Sequence, residues 1–218
     1  MFDDQRTRLL ATLYETHDKY CRAEELDWPS LYFHLKSLDA ARAKDFERFA
    51  ECSYAMLVAW KMQRTGGGPR ICQFENYRSS LQSVWATAMQ LRDKTPSGLD
   101  LSDWSKLKEV FCGIDCMVLP PKIVGHSKVM AHLLPNLVPP VDGGHTLKFL
   151  YDDATPPHGT DNGWAMLEQM LKEFFYPVLQ SPLFQPKAEE WLFTARCRWD
   201  TSLLKIVDNF VWELAEAK

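Results

Sequence analysis

Apolar residues recur at helical spacing along most of the chain. Each stripe repeats every three or four residues, which predicts an amphipathic or buried helix. No segment of useful length alternates apolar with polar residues, so we predict no sheet. The expected fold class is therefore all-α. The clearest stripes run through 8–20, 46–62, 166–179 and 203–214, and the last two are expected to be core.

Glycine and proline divide this helical pattern. The run Gly66-Gly67-Gly68-Pro69 is expected to end the helix of 46–62 near Arg64. In the second half of the chain, Pro-Pro pairs act as helix stops, because proline lacks the backbone donor and restricts the residue before it. The pairs lie at 120–121, 139–140 and 156–157.

The residues between the first two pairs form a unit of their own. We predict a short turn at Ile123-Val124-Gly125, followed by a helix from about Ser127 to Leu134. After the second pair, a new helix can begin at Asp142, since Asp is a favourable residue at a helix start.

Length and composition are those of a folded domain. The chain has 218 residues, of which 46% are hydrophobic and 25% charged. These values exclude disorder, collagen and coiled coil, and they fit one domain or two closely packed lobes. The net charge of −4 argues against a protein that binds polyanions through bulk charge, so a nucleic-acid site would have to be a local basic patch.

Other composition signals indicate a cytoplasmic protein. No run approaches the roughly 18 apolar residues of a membrane span. The N-terminal MFDDQRTRLL lacks the basic start and apolar core of a signal peptide. In that compartment the six scattered cysteines are expected to be reduced thiols rather than a disulfide framework.

The segment 123–149 carries the most informative chemistry. Between residues 122 and 148, three Lys face one Asp, which gives a local charge of +2. Such a patch can bind phosphate, or it can be a solvated surface. Three of the six histidines also fall here, at 126, 132 and 145.

This segment resembles the helix-hairpin-helix DNA glycosylases. Val124–Ser127 is similar to the end of the family's hairpin, and Val141–His145 is similar to the corner that carries its catalytic aspartate. The Asp-Gly start is closest to the adenine-glycosylase branch. The resemblance covers 27 of 218 residues. It implies two helical lobes with a cleft between them: 30–135 with the hairpin, and 1–29 plus 136–218 with the aspartate.

The resemblance assigns Asp142 as the catalytic carboxylate. A carboxylate near C1′ stabilises the oxocarbenium-like state formed when a glycosidic bond breaks, and it can orient water. A helix N-terminus would keep it ionised. The alternative is that Asp142 only caps its helix. The hairpin's amides and lysines would hold a DNA phosphate. The residues concerned are Lys122, Gly125, His126, Ser127 and Lys128.

A flipped base needs a pocket, and the gap it leaves in the duplex is generally filled by a side chain. We expect the wedge or a strand contact in the loop Gly66–Arg70. Candidate pocket residues are Arg70, Asn76, Tyr77 and His145. For Arg70, Asn76 and Tyr77 the sequence favours the alternative of core or capping roles. Trp60 and Trp85 are interpreted as core residues.

Family members that also cut the DNA strand carry a Lys near the start of the hairpin's second helix. Counting from Gly125, that position is Ser127, and Lys128 lies about 100° further round a helix. We therefore predict a monofunctional enzyme that leaves an abasic site.

The sequence also departs from the family pattern. Ile123 stands where the hairpin's first Gly belongs, and no cysteine quartet for an iron–sulfur cluster follows. No cofactor is therefore expected. An alternative interpretation is a structural zinc site, and its ligands would be Cys112, Cys116, His126 and His132.

The segment 60–77, together with Ser127-Lys128 and Pro140–Asp142, resembles a bacterial family that we associate with defence against phages carrying glucosylated hydroxymethylcytosine. The expected partner is double-stranded DNA, including DNA with modified cytosine, and the expected state is a monomer. The competing hypothesis is a non-catalytic helical module that binds DNA or protein through the same hairpin.

Overall fold

The computed structural model describes residues 1–23, 28–62, 71–118, 122–195 and 197–216. All regular structure in these ranges is helical, which confirms the predicted fold class. They contain no β-strand, and one isolated bridge pairs Ile71 with Met117. None of the described helices is both long enough and apolar enough to cross a bilayer.

The described residues in the first half of the chain form six α-helices. A 3₁₀ turn at Pro96–Gly98 lies between the last two. In chain order the helices are α1 (Asp3–Ala11), α2 (Leu13–Ala23), α3 (Trp28–Arg42), α4 (Phe46–Ala59), α5 (Phe74–Leu91) and α6 (Leu101–Gly113).

The second half adds α7 to α12 and two π-helical turns. The turn Gly143–Leu147 leads directly into α8, and the turn Leu171–Phe175 joins α9 to α10. The helices are α7 (Lys122–Leu133), α8 (Lys148–Tyr151), α9 (Thr160–Met170), α10 (Tyr176–Leu179), α11 (Gln185–Thr194) and α12 (Leu203–Glu216).

Local sequence explains where two of these helices begin. The carboxylate of Asp45 accepts the amide of Arg48 at 3.1 Å at the start of α4. At the start of α6, Asp100 and Asp103 each accept the other's backbone amide and so form a capping box. Each cap satisfies amides that the helix itself leaves unpaired.

Two helices occupy the interior. α7 contacts α3, α4, α6 and α9, while α12 contacts α2, α8, α10 and α11. Their neighbours surround them, so both are buried over most of their length. One hydrophobic cluster contains residues of both expected lobes, such as Leu57 and Phe210. The division into two lobes stays a prediction.

The predicted turn at residues 123–125 is wrong, because α7 begins at Lys122 and includes them. Gly125 is needed for close packing and not for a turn. A Cβ at this position would lie 2.5 Å from Cγ of Met117 and 2.8 Å from Sγ of Cys116. A glycine in a helix and a glycine in a turn look alike in the sequence, and the close neighbour decides between them.

Candidate functional site

A cavity of about 300 Å³ lies where α12, α7 and the residues after α4 meet the segment around Asp142. Its walls combine four aromatic rings with three lysines, two aspartates and one histidine. The volume is at the lower end of the range typical of small-molecule pockets. The lining residues are Tyr20, Ala59, Trp60, Lys61, Lys128, Pro140, Asp142, His145, Trp199, Lys205, Asp208 and Trp212.

Asp142 caps the π-helical turn and also faces the cavity. Its Oδ1 accepts the amide of Gly144 at 2.9 Å, and its own amide donates to Oγ1 of Thr146 at 3.0 Å. The side chain nevertheless keeps 38% of its surface exposed. The capping role and the site role are therefore compatible, since one oxygen caps and the other is turned toward Lys128.

His145 pairs with two carboxylates. Nδ1 lies 2.9 Å from Oδ1 of Asp142, and Nε2 lies 3.0 Å from Oε1 of Glu216. Two acceptors require both ring nitrogens to carry a proton, so the ring is an imidazolium. Burial opposes the charge, but the two carboxylates outweigh it and raise the pKa of His145. The ring also stacks on Trp212, with centroids 4.9 Å apart.

Asp142 is held ionised by its surroundings. Burial alone would raise the pKa of its carboxyl group, but the hydrogen bond from His145 and the charge of Lys128 outweigh burial. The amide of Gly144 adds to these effects, and the pKa of Asp142 falls well below its usual range. Asp142 therefore carries its negative charge at neutral pH.

Lys128 is a buried lysine beside that charge. Its Nζ lies 3.5 Å from Oδ2 of Asp142 and 4.9 Å from the ring centroid of Trp60. Burial lowers the pKa of Lys128, and Asp142 offsets part of that effect. An amine of this kind is more easily deprotonated than a surface lysine, which is how proteins prepare lysine nucleophiles.

A second ion pair stands on α12. Nζ of Lys205 donates to Oδ2 of Asp208 at 2.7 Å and also to Oδ1 of Asn209. Asn209 in turn donates to Asp200 at 2.9 Å, and the other oxygen of Asp200 lies 2.7 Å from Nε2 of His17. This buried chain of hydrogen bonds holds the ammonium group of Lys205 in place.

Three of the predicted phosphate-binding residues are not on the surface. Gly125, His126 and Ser127 are buried inside α7. Nδ1 of His126 donates to the carbonyl of Phe111 at 2.8 Å, and Oγ of Ser127 accepts the amide of Val141 at 3.0 Å. All three face the interior, so the structure does not support a phosphate-binding role for them, and that role stays a prediction.

Two of the three lysines in the predicted patch, Lys122 and Lys128, have separate roles. Lys122 pairs with Asp115 at 2.6 Å and donates to the carbonyl of Met117, so its ammonium group is engaged at the start of α7. Lys128 points inward to Asp142 and is not a solvated surface charge. Lys122 and Lys128 therefore do not lie side by side in one exposed basic patch.

Of the four predicted pocket residues, His145 lines the cavity. Asn76 is exposed on α5. Tyr77 is fully buried, with its hydroxyl 2.6 Å from Oγ of Ser53, so it is a core residue. The predictions for Arg70 and for the Gly66–Arg70 wedge lie outside the described residues.

The zinc interpretation is not supported by the described residues, which contain no cluster of three potential metal ligands. Cys112 is exposed while Cys116 is buried. His132 belongs to a different network: its Nδ1 donates to the carbonyl of Lys128 at 2.7 Å, and its Nε2 lies 2.7 Å from Nδ1 of His34. Its two nitrogens are thus already engaged.

Sequence reasoning missed half of the cavity. Trp60 was interpreted as core, and 203–214 as a purely apolar stripe. The available signal was the presence of Lys205 and Asp208 inside an otherwise apolar helix, since charged side chains are rarely buried unless they are paired. The lining residues that no motif suggested are Tyr20, Ala59, Trp199, Lys205, Asp208 and Trp212.

Comparison of the chain with protein-family models, with curated proteins and with solved structures gave no match. The resemblance of residues 123–149 to the glycosylases therefore stays a prediction from the sequence.

Proposed function

We propose that the protein is a DNA glycosylase that flips a base into the cavity and hydrolyses its N-glycosidic bond, leaving an abasic site. The observation that carries the proposal is the ionised carboxylate of Asp142 at the wall of an aromatic cavity. Breaking the bond places positive charge on the sugar, and a fixed carboxylate stabilises that charge and can orient the attacking water.

The aromatic walls of the cavity suit the binding of a flipped base. A flipped base loses its stacking in the duplex, which costs a few kcal/mol. Stacking on an aromatic side chain recovers about 1–3 kcal/mol per base. Trp60, Trp199 and Tyr20 all line the cavity and supply such surfaces. The resemblance of 60–77 extends the proposal to glucosylated hydroxymethylcytosine in phage DNA.

The first test is Asp142→Asn. Asparagine caps helices as well as aspartate does, so the fold should be retained while the charge is removed. We expect wild-type protein to release a base from a panel of DNAs with modified bases, read as strand breaks after alkaline treatment. The variant should bind the same DNA and lose excision by a factor of 100 or more (about 2.7 kcal/mol).

Two results would contradict the proposal. Undiminished excision by Asp142→Asn would remove the carboxylate from the reaction. Binding of DNA by the wild type with no excision of any base would favour the non-catalytic module, in which Asp142 is only a cap.

A second activity is favoured by the position of Lys128. The expectation of a monofunctional enzyme rested on Ser127 occupying the lysine position, but Ser127 is buried and Lys128 faces Asp142. For this step the ammonium of Lys128 gives up a proton to water, and the resulting amine attacks C1′ as the bond to the base breaks. Opening of the C1′–O4′ bond then gives an imine that permits β-elimination of the 3′-phosphate. We expect strand cleavage without alkali and a borohydride-trapped protein–DNA adduct, both absent in Lys128→Met.

A further inference from the structure

The ammonium of Lys205 has little capacity left for a ligand. It donates to Asp208 at 2.7 Å and to Asn209, and it lies 5.4 Å from the ring centroid of Trp199. An ammonium has three N–H groups, so two are used in hydrogen bonds and the third is left among aromatic rings. On this wall of the cavity the lysine acts as a support.

Asp208 is different, because only one of its oxygens is used. Oδ2 binds Lys205, and no described residue hydrogen-bonds to Oδ1. Among the described residues, the sole fully buried side-chain N or O atom without a partner is Nε2 of His126. Asp208 keeps 13% of its side chain exposed, and the residue lines the cavity. The wall thus offers a fixed hydrogen-bond acceptor.

We infer, on the basis of the proposed function, that Asp208 selects the flipped base and that the selected bases carry an exocyclic amino group, as cytosine and adenine do. A carboxylate accepts a hydrogen bond from such an amino group, as acidic side chains do with N4 of cytosine. A 4-oxo or 6-oxo base would place a carbonyl oxygen against the same carboxylate, with no donor between them.

The supporting network explains why this acceptor stays in place. Lys205 fixes Asp208, and the chain through Asn209 and Asp200 fixes Lys205. Burial raises the pKa of Asp208, and Lys205 opposes that rise. Asp208 and Asp142 line the same cavity. One bound nucleotide can therefore meet both carboxylates, with its sugar at Asp142 and its base edge at Asp208.

The experiment compares matched pairs of bases that differ only in amino or oxo group: cytosine with uracil carrying the same 5-substituent, and adenine with hypoxanthine. Single-turnover excision is measured for the wild type, Asp208→Asn and Asp208→Ser, with melting curves to verify folding. Glu213→Gln, which removes a carboxylate from the same helix outside the cavity lining, is the matched control. Calorimetric binding of the free 2′-deoxynucleosides is measured in parallel.

We expect the wild type and Glu213→Gln to prefer the amino member of each pair by about tenfold or more, the usual effect of one hydrogen bond to a charged group. Asp208→Asn should bring the ratio close to one, because its amide can also donate to an oxo base.

The possible failures are distinguishable. Excision without an amino preference would overturn the inference and leave the glycosylase proposal standing. If no base is excised but amino nucleosides still bind preferentially, the proposed function fails and base selection by Asp208 stands. If there is neither excision nor preferential binding, both are overturned. If both Asp208 variants unfold, the wild-type ratio of amino-base to oxo-base excision is the deciding measurement, and a ratio near one overturns the inference.

Discussion

Replacing Ser127 with alanine removes the hydroxyl that joins α7 to the segment before Asp142. Oγ of Ser127 accepts the amide of Val141 at 3.0 Å and donates to the carbonyl of Val124 at 3.2 Å. Both ends of the first bond are buried. The variant would leave the amide of Val141 unpaired in the interior, one residue before the candidate catalytic carboxylate.

The magnitude follows from that unpaired amide. A buried donor without a partner costs about 1–3 kcal/mol. For a chain of this size, each kcal/mol lowers the melting temperature by roughly 2–4 °C, so we expect Ser127→Ala to melt about 2–12 °C below the wild type. Excision should also fall, since displacing a catalytic group by about 1 Å can cost a factor of a hundred.

Thermal denaturation followed by circular dichroism measures the first effect, and single-turnover excision measures the second. Ser105→Ala is the matched control, because its hydroxyl is exposed and bonds only to the carbonyl of Leu101 in its own helix. A Ser127→Ala variant within about 0.5 kcal/mol of this control, the usual range for surface substitutions, would refute the assigned role.

Two further predictions concern packing and pH. Gly125→Ala should lower the free energy of unfolding by up to about 2 kcal/mol, because overpacking against Met117 costs about 1–3 kcal/mol and helix propensity returns about 1. Gly163→Ala, whose Cβ would have 3.4 Å to Phe111, should not be destabilising. The pKa of His145 is raised in the folded state, so its contribution to stability is fully present below pH 6.5 and is lost as pH rises through the raised pKa. Glu216→Gln should lower the pKa of His145 measured by NMR; an unchanged pKa would contradict the pairing.

The helical class was predictable because apolar periodicity reports which face of each segment is buried. The stripes at 46–62 and 203–214 lie on α4 and α12, and Asp142 stands at a helix start as expected. Breaks inside a predicted helix were harder to predict. Residues 8–20 span two helices that separate at Thr12, and the sequence did not reveal this because nothing in the apolar pattern marks the break.

The site was only partly predictable. A local motif could suggest Asp142 and His145, which are three residues apart. It could not show that Lys205 and Asp208, more than sixty residues later, face the same space, because that depends on how α12 packs. The direction of the Lys128 side chain could not be predicted from the sequence either. A rotation of one residue along a helix turns a surface lysine into a buried one, and here the contacts with Trp60 and Asp142 determine the direction.

The arrangement of indoles has an optical consequence. Three of the chain's eight tryptophans, Trp60, Trp199 and Trp212, line one small cavity, while Trp85, Trp104 and Trp164 pack elsewhere. A planar ring entering this space would quench the emission of the first group and leave that of the second unchanged. The tryptophan emission of the native protein therefore reports whether the cavity is occupied, and a titration with unlabelled oligonucleotide can be followed in real time.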